Sequence, residues 1–494
     1  MSSRPSAAPR GHRYLPLGPV RKAATPVIES LEHRWLLSAS DVNLDVRLPL
    51  MGSTDDTPTA VVRGADGSTL VAGTRPSLAG GDVLFARFDA SGALDPSFGP
   101  AHDGKAVIPL AAGSIVTALT VDSAGNIYAA GRTGTDVIVV RLTGAGALDQ
   151  AFDPIHLAGA SADADAIAVQ GSGAAAVIAV GGSSGDEGTR QFLVAEYGAD
   201  GHLLAGFNAG QPVLTTIGDD AAVHALAFDD ATGSLFAGGE STTTSHNRFA
   251  VAKYTSGGAL DAAFDGPSSA GNGIVTTDLG ATPVTGARLG ILSLALNSTG
   301  NDLVAAGTDG GVAIAQYDPA TGNFFGSTAP VEDAGTGLSV LGAGMALGNV
   351  YLTGIASDAG TDRPAALHYA LAADGSLGPA SPLAFTALNA SGLQGGDVHT
   401  NVGPDGGVSA AIFQTAPHEG RNFALGSITA AGATGPSGSA DFLAPADAQV
   451  TAVVVAQQAG GKMLVGGSIA STGRAVLLRR LADGSPDPTF GNGG

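Results

Sequence analysis

From about residue 41 onward, short apolar runs alternate with glycine-rich polar breaks. Four segments show the pattern: Asp66-Gly67-Ser68-Thr69-Leu70-Val71-Ala72-Gly73, then 124–131, 232–239 and 461–467. Each is a turn, a few apolar residues and a closing glycine. Further copies close at Gly182, Gly307 and Gly354, and a degenerate one runs from Pro404 to Phe413. Runs this short, rich in β-branched and small residues, predict strands rather than helices. After each closing glycine comes a variable loop and a second apolar run, as at 83–88, 137–142, 192–197, 249–254, 312–317, 365–369 and 475–481. A polar residue recurs at one position of these runs (Arg87, Arg141, Glu196, Lys253, Gln316, His368, Arg479), which predicts that this side of the pleat meets water.

A third signature follows: Gly92-Ala93-Leu94-Asp95-Pro96-Ser97-Phe98, echoed at 146–152, 258–264 and 484–490. A further strand is predicted at 105–110, 211–217 and 273–279. The closing glycines recur about every 56 residues between Gly73 and Gly467. Four strands in that length fit a propeller blade, whereas immunoglobulin-like arrays need about 100 residues per unit.

On these residues the chain resembles the bacterial delta-60 repeat family, whose repeat carries a D-G turn, a strand ending in Ala-Gly, a strand ending in Arg and an aromatic, and G-x-L-D-x-x-F-G. The resemblance covers residues 41–494 and is strongest in copies one, two, four and eight. It implies an all-β fold: a single β-propeller of about eight four-stranded blades, seven being the nearest alternative. The last copy stops at Phe490-Gly491-Asn492-Gly493-Gly494, ahead of its fourth strand, while residues 42–50 look like 105–110. The N-terminal strand is therefore expected to complete the last blade and close the ring.

Residues 1–40 read differently. Arg4, Arg10, Arg13, Arg21, Lys22 and Arg34 face only Glu29 and Glu32, and the apolar core of an ordinary signal peptide is lacking. The stretch Leu31-Glu32-His33-Arg34-Trp35-Leu36-Leu37-Ser38-Ala39 resembles the LEPR-XLL element of large bacterial surface proteins, with His33 where proline is usual. The resemblance implies a sorting or processing signal. The expected organisation is a disordered leader, 1–40, and a propeller, 41–494.

Charge narrows the partners. With 44 acidic against 23 basic residues the net charge is −21, which repels nucleic acid and anionic lipid. No apolar run approaches the ~18 residues of a spanning helix. Cysteine is absent, so disulfides, thiol nucleophiles and Cys-type zinc sites are excluded. The expected state is a monomer that meets a protein or carbohydrate ligand at the cell surface.

Candidate chemistry is sparse. Gly181-Gly182-Ser183-Ser184-Gly185 matches the G-x-S-x-G nucleophile elbow, but the run at 192–197 reads as strand where that elbow needs a helix. His102, His156, His224, His246 and His399 are scattered without metal-ligand spacing. Leu-Asp-x-x-Phe reads as mechanical, with Leu and Phe filling apolar space and Asp accepting turn N–H groups. Acidic residues recur in the turn ahead of the first strand of a copy: Asp55 and Asp56, Asp163 and Asp165, Asp219 and Asp220, Glu332 and Asp333, then Asp397 and Asp447. These turns are expected to share a face with the variable loops, where recognition would occur. Turn chemistry and solubility are the preferred reading and weak Ca2+ sites the lesser alternative, since no complete calcium loop is present. No cofactor and no catalytic residue is assigned. The expected function is a non-enzymatic binding or structural module outside the cell. The alternatives are a propeller enzyme with its site on the loop face or central channel, and a piece of a longer surface protein.

Overall fold

The computed structural model describes residues 57–480, short internal segments excepted, the longest being 279–289, 329–337, 385–397 and 441–449; for the last three strands it describes the backbone alone. The chain divides into a larger unit, residues 51–443, and a smaller one made of 1–50 and 444–494.

In the larger unit the described residues form seven four-stranded antiparallel sheets in chain order, at 57–110, 114–157, 162–215, 220–277, 290–328, 338–384 and 398–440. These are blades 1 to 7. The first strand of each blade packs on the first strand of the next, and that of blade 1 packs on that of blade 7. The ring is thus closed within the unit.

Seven apolar clusters account for the closure, one at each seam between neighbouring blades. Successive residues of one strand serve opposite seams, because side chains alternate across the pleat. In Gly81–Phe88, Val83 and Phe85 enter the seam with blade 2, while Leu84, Ala86 and Phe88 enter the seam with blade 7. Strands buried on both faces read as unbroken apolar runs rather than alternating ones, as these do. Each large aliphatic or aromatic side chain so buried contributes about 1.5–3 kcal/mol.

The expectation of eight blades is corrected to seven. Ala411 and Leu425 of blade 7 already bury the open face of blade 1, with Arg63 N–H donating to Asn401 Oδ1 (3.0 Å) and Thr69 Oγ1 bonded to Ser409 Oγ (2.9 Å). No face is left at that seam for another wedge. The eighth copy forms a three-stranded sheet, Val450–Gln457, Met463–Ile469 and Ala475–Arg480, in the smaller unit. Residues 42–50, expected to complete the last blade and close the ring, lie outside the described residues; within the larger unit blade 1 packs on blade 7.

The recurring polar position is also corrected. Arg87, Arg141 and Lys253 do not simply face water. Each pairs with the Asp of its own repeat, Asp95 at 2.7 Å, Asp149 at 2.8 Å and Asp261 at 3.0 Å. Each also donates to a carbonyl of the following blade, that of Gly144, Ala199 or Pro319. The residue after the motif Phe adds a backbone bond across the same seam, as from Gly99 N–H to the Ala145 carbonyl (2.8 Å). Phe98 itself is fully buried, with the Arg87 guanidinium over its ring. Leu-Asp-x-x-Phe is therefore a staple between blades.

Blade 3 departs from this rule at two positions together. Glu196 replaces the basic residue and Leu204 the aspartate. Glu196 is 4% exposed, its Oε1 has no hydrogen-bond partner, and burial pushes its carboxyl up to about 7.

Candidate functional site

The innermost strands carry a repeated irregularity. In blades 1 to 6 one residue is inserted opposite the second strand, a β-bulge at Thr59, Thr117, Asp165, His224, Leu292 and Leu341. The corresponding position of blade 7, residue 397, lies outside the described residues. The closing glycine of each copy pairs with the residue just before the bulge, as in Val116 with Gly131 and Ala164 with Gly182. A Cβ at Gly131 would stand 1.9 Å from the Ile115 carbonyl oxygen, and one at Gly182 would stand 1.8 Å from that of Asp163. Only glycine lets the bulged strand come so close.

The bulges aim their residues at the axis. There a cavity of about 630 Å³ is lined by the innermost strands of all seven blades. Val61, Leu119, Ile167, Leu226, Leu294 and Ala343, each two residues past a bulge, form an aliphatic collar in this cavity. The bulge residues themselves are polar in blades 1 to 4 (Thr59, Thr117, Asp165, His224) and apolar in blades 5 and 6 (Leu292, Leu341). The lining holds no Phe, Tyr or Trp among the described residues. A chamber of this size, with an aliphatic collar beside convergent polar groups, has the character of a small-ligand site.

Its charge is concentrated where blades 3 and 4 meet. His224 Nδ1 lies 3.5 Å from Asp165 Oδ2, and its Nε2 lies 3.9 Å from Glu240 Oε1, distances of ion pairing rather than of aligned hydrogen bonds. Burial alone would depress the imidazole, whose side chain is only 13% exposed, but the two carboxylates outweigh burial and carry it up to about 9. His224 is therefore an imidazolium at neutral pH. Behind it Arg190 reaches both Glu240 (3.1 Å) and Asp220. Burial opposes ionisation of Asp220, yet bonds from the Arg190 guanidinium and from the backbone N–H groups of Arg190 and Gly188 hold it below the usual carboxylate range. The group comprises three carboxylates and two cations.

Of the six acids singled out as cation ligands, four fall among the described residues. Asp55 and Asp56 lie outside the described residues. Asp163 pairs with Arg132 (3.3 Å), Asp165 with His224, and Asp220 with Arg190, while Asp219 N–H donates to the Thr242 carbonyl. Among the described residues no three His, Cys, Asp or Glu side chains converge on a point where a metal would sit. The bonds from Gly188 and Arg190 to Asp220 join a variable loop of blade 3 to the turn that opens blade 4, so the acidic turn and the loop share one end. Gly181 to Ser184 lie in the strand Val177–Ser184, which leads to the strand Gln191–Gly198 and not to a helix.

Sequence reasoning passed over His224 as one scattered histidine. No fixed spacing could have found it, because Thr59, Thr117, Asp165, His224, Leu292 and Leu341 stand at varying distances ahead of their closing glycines. Residues 64–98, 231–264 and 458–490 match the family described as Domain of unknown function (DUF5122) beta-propeller. The chain is built from propeller repeats. Those stretches span the turn, two strands and Asp-x-x-Phe of blades 1 and 4 and of the eighth copy, in which Pro486 stands where the others have leucine. A search of curated proteins finds no match.

Among solved structures, the chain is similar to Sqt1 of Saccharomyces cerevisiae (11% identity, TM-score 0.45, covering 87% of this chain and 97% of that one). It is also similar to Sqt1 of Chaetomium thermophilum (13%, TM-score 0.44, 86% and 95%) and to a PL25 ulvan lyase (10%, TM-score 0.42, 78% and 96%). At these scores the likenesses carry no inference about activity. Among the described residues no helix is long and apolar enough to cross a membrane.

Proposed function

We propose that the seven-bladed unit is a non-enzymatic binding module, that its ligand enters the axial cavity, and that the protein works at the cell surface or outside the cell. The observation that carries the reading is the cavity itself, which receives one strand from every blade and into which the same β-bulge brings a polar residue in blades 1 to 4. A device repeated in the backbone while its side chain changes suits recognition better than a single reaction centre. The delta-60 resemblance and the LEPR-XLL-like segment at 31–39 support a role in an exported bacterial protein. The net charge of −21 favours solubility there and disfavours nucleic acid.

The test is a binding screen of the full chain against proteins, glycans and small molecules, repeated with Leu292→Trp, which fills the cavity from a bulge position. Hits lost in that variant, with its melting profile preserved, support the reading. Hits that bind both forms equally overturn it.

A further inference from the structure

Resting on the reading of the axial cavity as the binding site, we propose that it takes an aliphatic primary amine, whose ammonium head settles beside Asp165 while its chain lies on the aliphatic collar and His224 releases a proton to solvent. Three features select this chemistry.

The first is shape and surface. The collar is aliphatic in blades 1 to 6, with His399 at the matching position of blade 7, and the described lining offers no Phe, Tyr or Trp ring for a flat base to stack on. A flexible methylene chain matches Val61, Leu119, Ile167, Leu226, Leu294 and Ala343 directly.

The second is charge. Around His224 stand Asp165 from the innermost strand of blade 3 and Glu240 from the second strand of blade 4. Arg190 and Asp220 lie behind Glu240, and His399 of blade 7 lines the same cavity. Three carboxylates, Asp165, Glu240 and Asp220, gather at this one end of the cavity, and the elevated imidazole between two of them is itself a report that this spot favours positive charge. An incoming ammonium supplies the charge that the imidazolium gives up, so the group keeps its balance. A carboxylate ligand would instead face Asp165.

The third is position. Asp165 and His224 are both bulge residues on adjoining blades and both line the cavity, so a head group beside Asp165 meets His224 from the axis. Ammonium and proton therefore compete for one pair of carboxylates, and binding one expels the other.

The experiment is calorimetric titration of the full chain with hexylammonium, hexanoate and 1-hexanol, from pH 6.5 to 8.5, in buffers of differing ionisation heat. Hexylammonium keeps its own proton over this range, like a lysine side chain. Expected are close to one proton released per amine bound and an affinity that rises about tenfold per pH unit, the linkage of a single displaced proton. Lengthening the chain from butyl to heptyl should gain about fourfold per methylene. His224→Gln should bind without proton release and without pH dependence, and Asp165→Asn should lose at least about tenfold in affinity, the size of one lost charge-assisted contact.

Amine binding without proton release in the unmodified chain overturns the proposal. So does equal affinity in Asp165→Asn. If hexanoate or hexanol is preferred and that binding is lost in Leu292→Trp, the amine assignment fails while the cavity stands. If no probe responds to Leu292→Trp, the cavity reading fails with it.

Discussion

Asp165 Oδ2 and His224 Nδ1 meet at 3.5 Å across the seam between blades 3 and 4, each carried into the axial cavity by a β-bulge. Neither strand alone would bring a carboxylate and an imidazole together; the ring does so because successive blades repeat the same insertion.

This pair makes stability depend on pH in one direction. The imidazole has an ordinary value of 6.5 when unfolded and about 9 when folded, so the folded state binds the extra proton between them. Its contribution is complete below pH 6.5 and is lost as pH rises through 9. Denaturant unfolding of the full chain should show a loss on the order of 3 kcal/mol over that window which is absent in His224→Gln. Identical pH profiles for the two proteins would remove His224 from the ion cluster.

Glu196 acts in the opposite sense. Its folded value of about 7 lies above the ordinary 4.5, so ionising it in place costs stability as pH rises from 4.5 through 7. Glu196→Gln should be more stable than the unmodified chain at pH 8, by on the order of 2–3 kcal/mol, and no more stable at pH 4. Restoring the rule of blades 1, 2 and 4 with Glu196→Arg and Leu204→Asp together should reveal a favourable coupling of about 1–3 kcal/mol in a double-mutant cycle. Strict additivity would mean that the staple does not form in blade 3.

Phe98 tests the seam directly. It is fully buried between blades 1 and 2, and its truncation to alanine leaves a cavity that the stapled turn cannot collapse into. Phe98→Ala should cost about 3–5 kcal/mol in denaturant unfolding. A cost below about 1 kcal/mol would show that the motif serves something other than packing.

The larger unit should stand alone. Residues 51–443, whose ring closes through Val71, Leu84 and Ala411, should fold and unfold cooperatively when produced without the rest of the chain. Loss of that cooperativity, read by calorimetry, would mean that the seam between blades 7 and 1 needs support from the smaller unit.

Much of this architecture was legible in the residues. The closing glycines, the strands at 83–88 and 249–254 and the turn aspartates all fall where spacing put them, because each answers to a local rule of backbone geometry. Blade number was not local. It depends on whether Ala411 and Leu425 meet Leu84 and Phe88, a contact that no repeat period encodes. Arg87 misled for a related reason: on a strand buried on both faces a charged side chain need not mark water, and here it marks the neighbouring blade. His224 stayed hidden because an inserted residue breaks the two-residue alternation used to assign faces.

At Thr59, Thr117, Asp165 and His224 the inserted residue takes no part in the apolar clusters that hold the blades together. Its identity can therefore change without removing an apolar contact, although Asp165 and His224 also tie blade 3 to blade 4 through their ion pair. Each such position is a letter written on a fixed dial, and proteins built on this plan could acquire new selectivities a letter or a coupled pair at a time while their apolar frame stays unaltered.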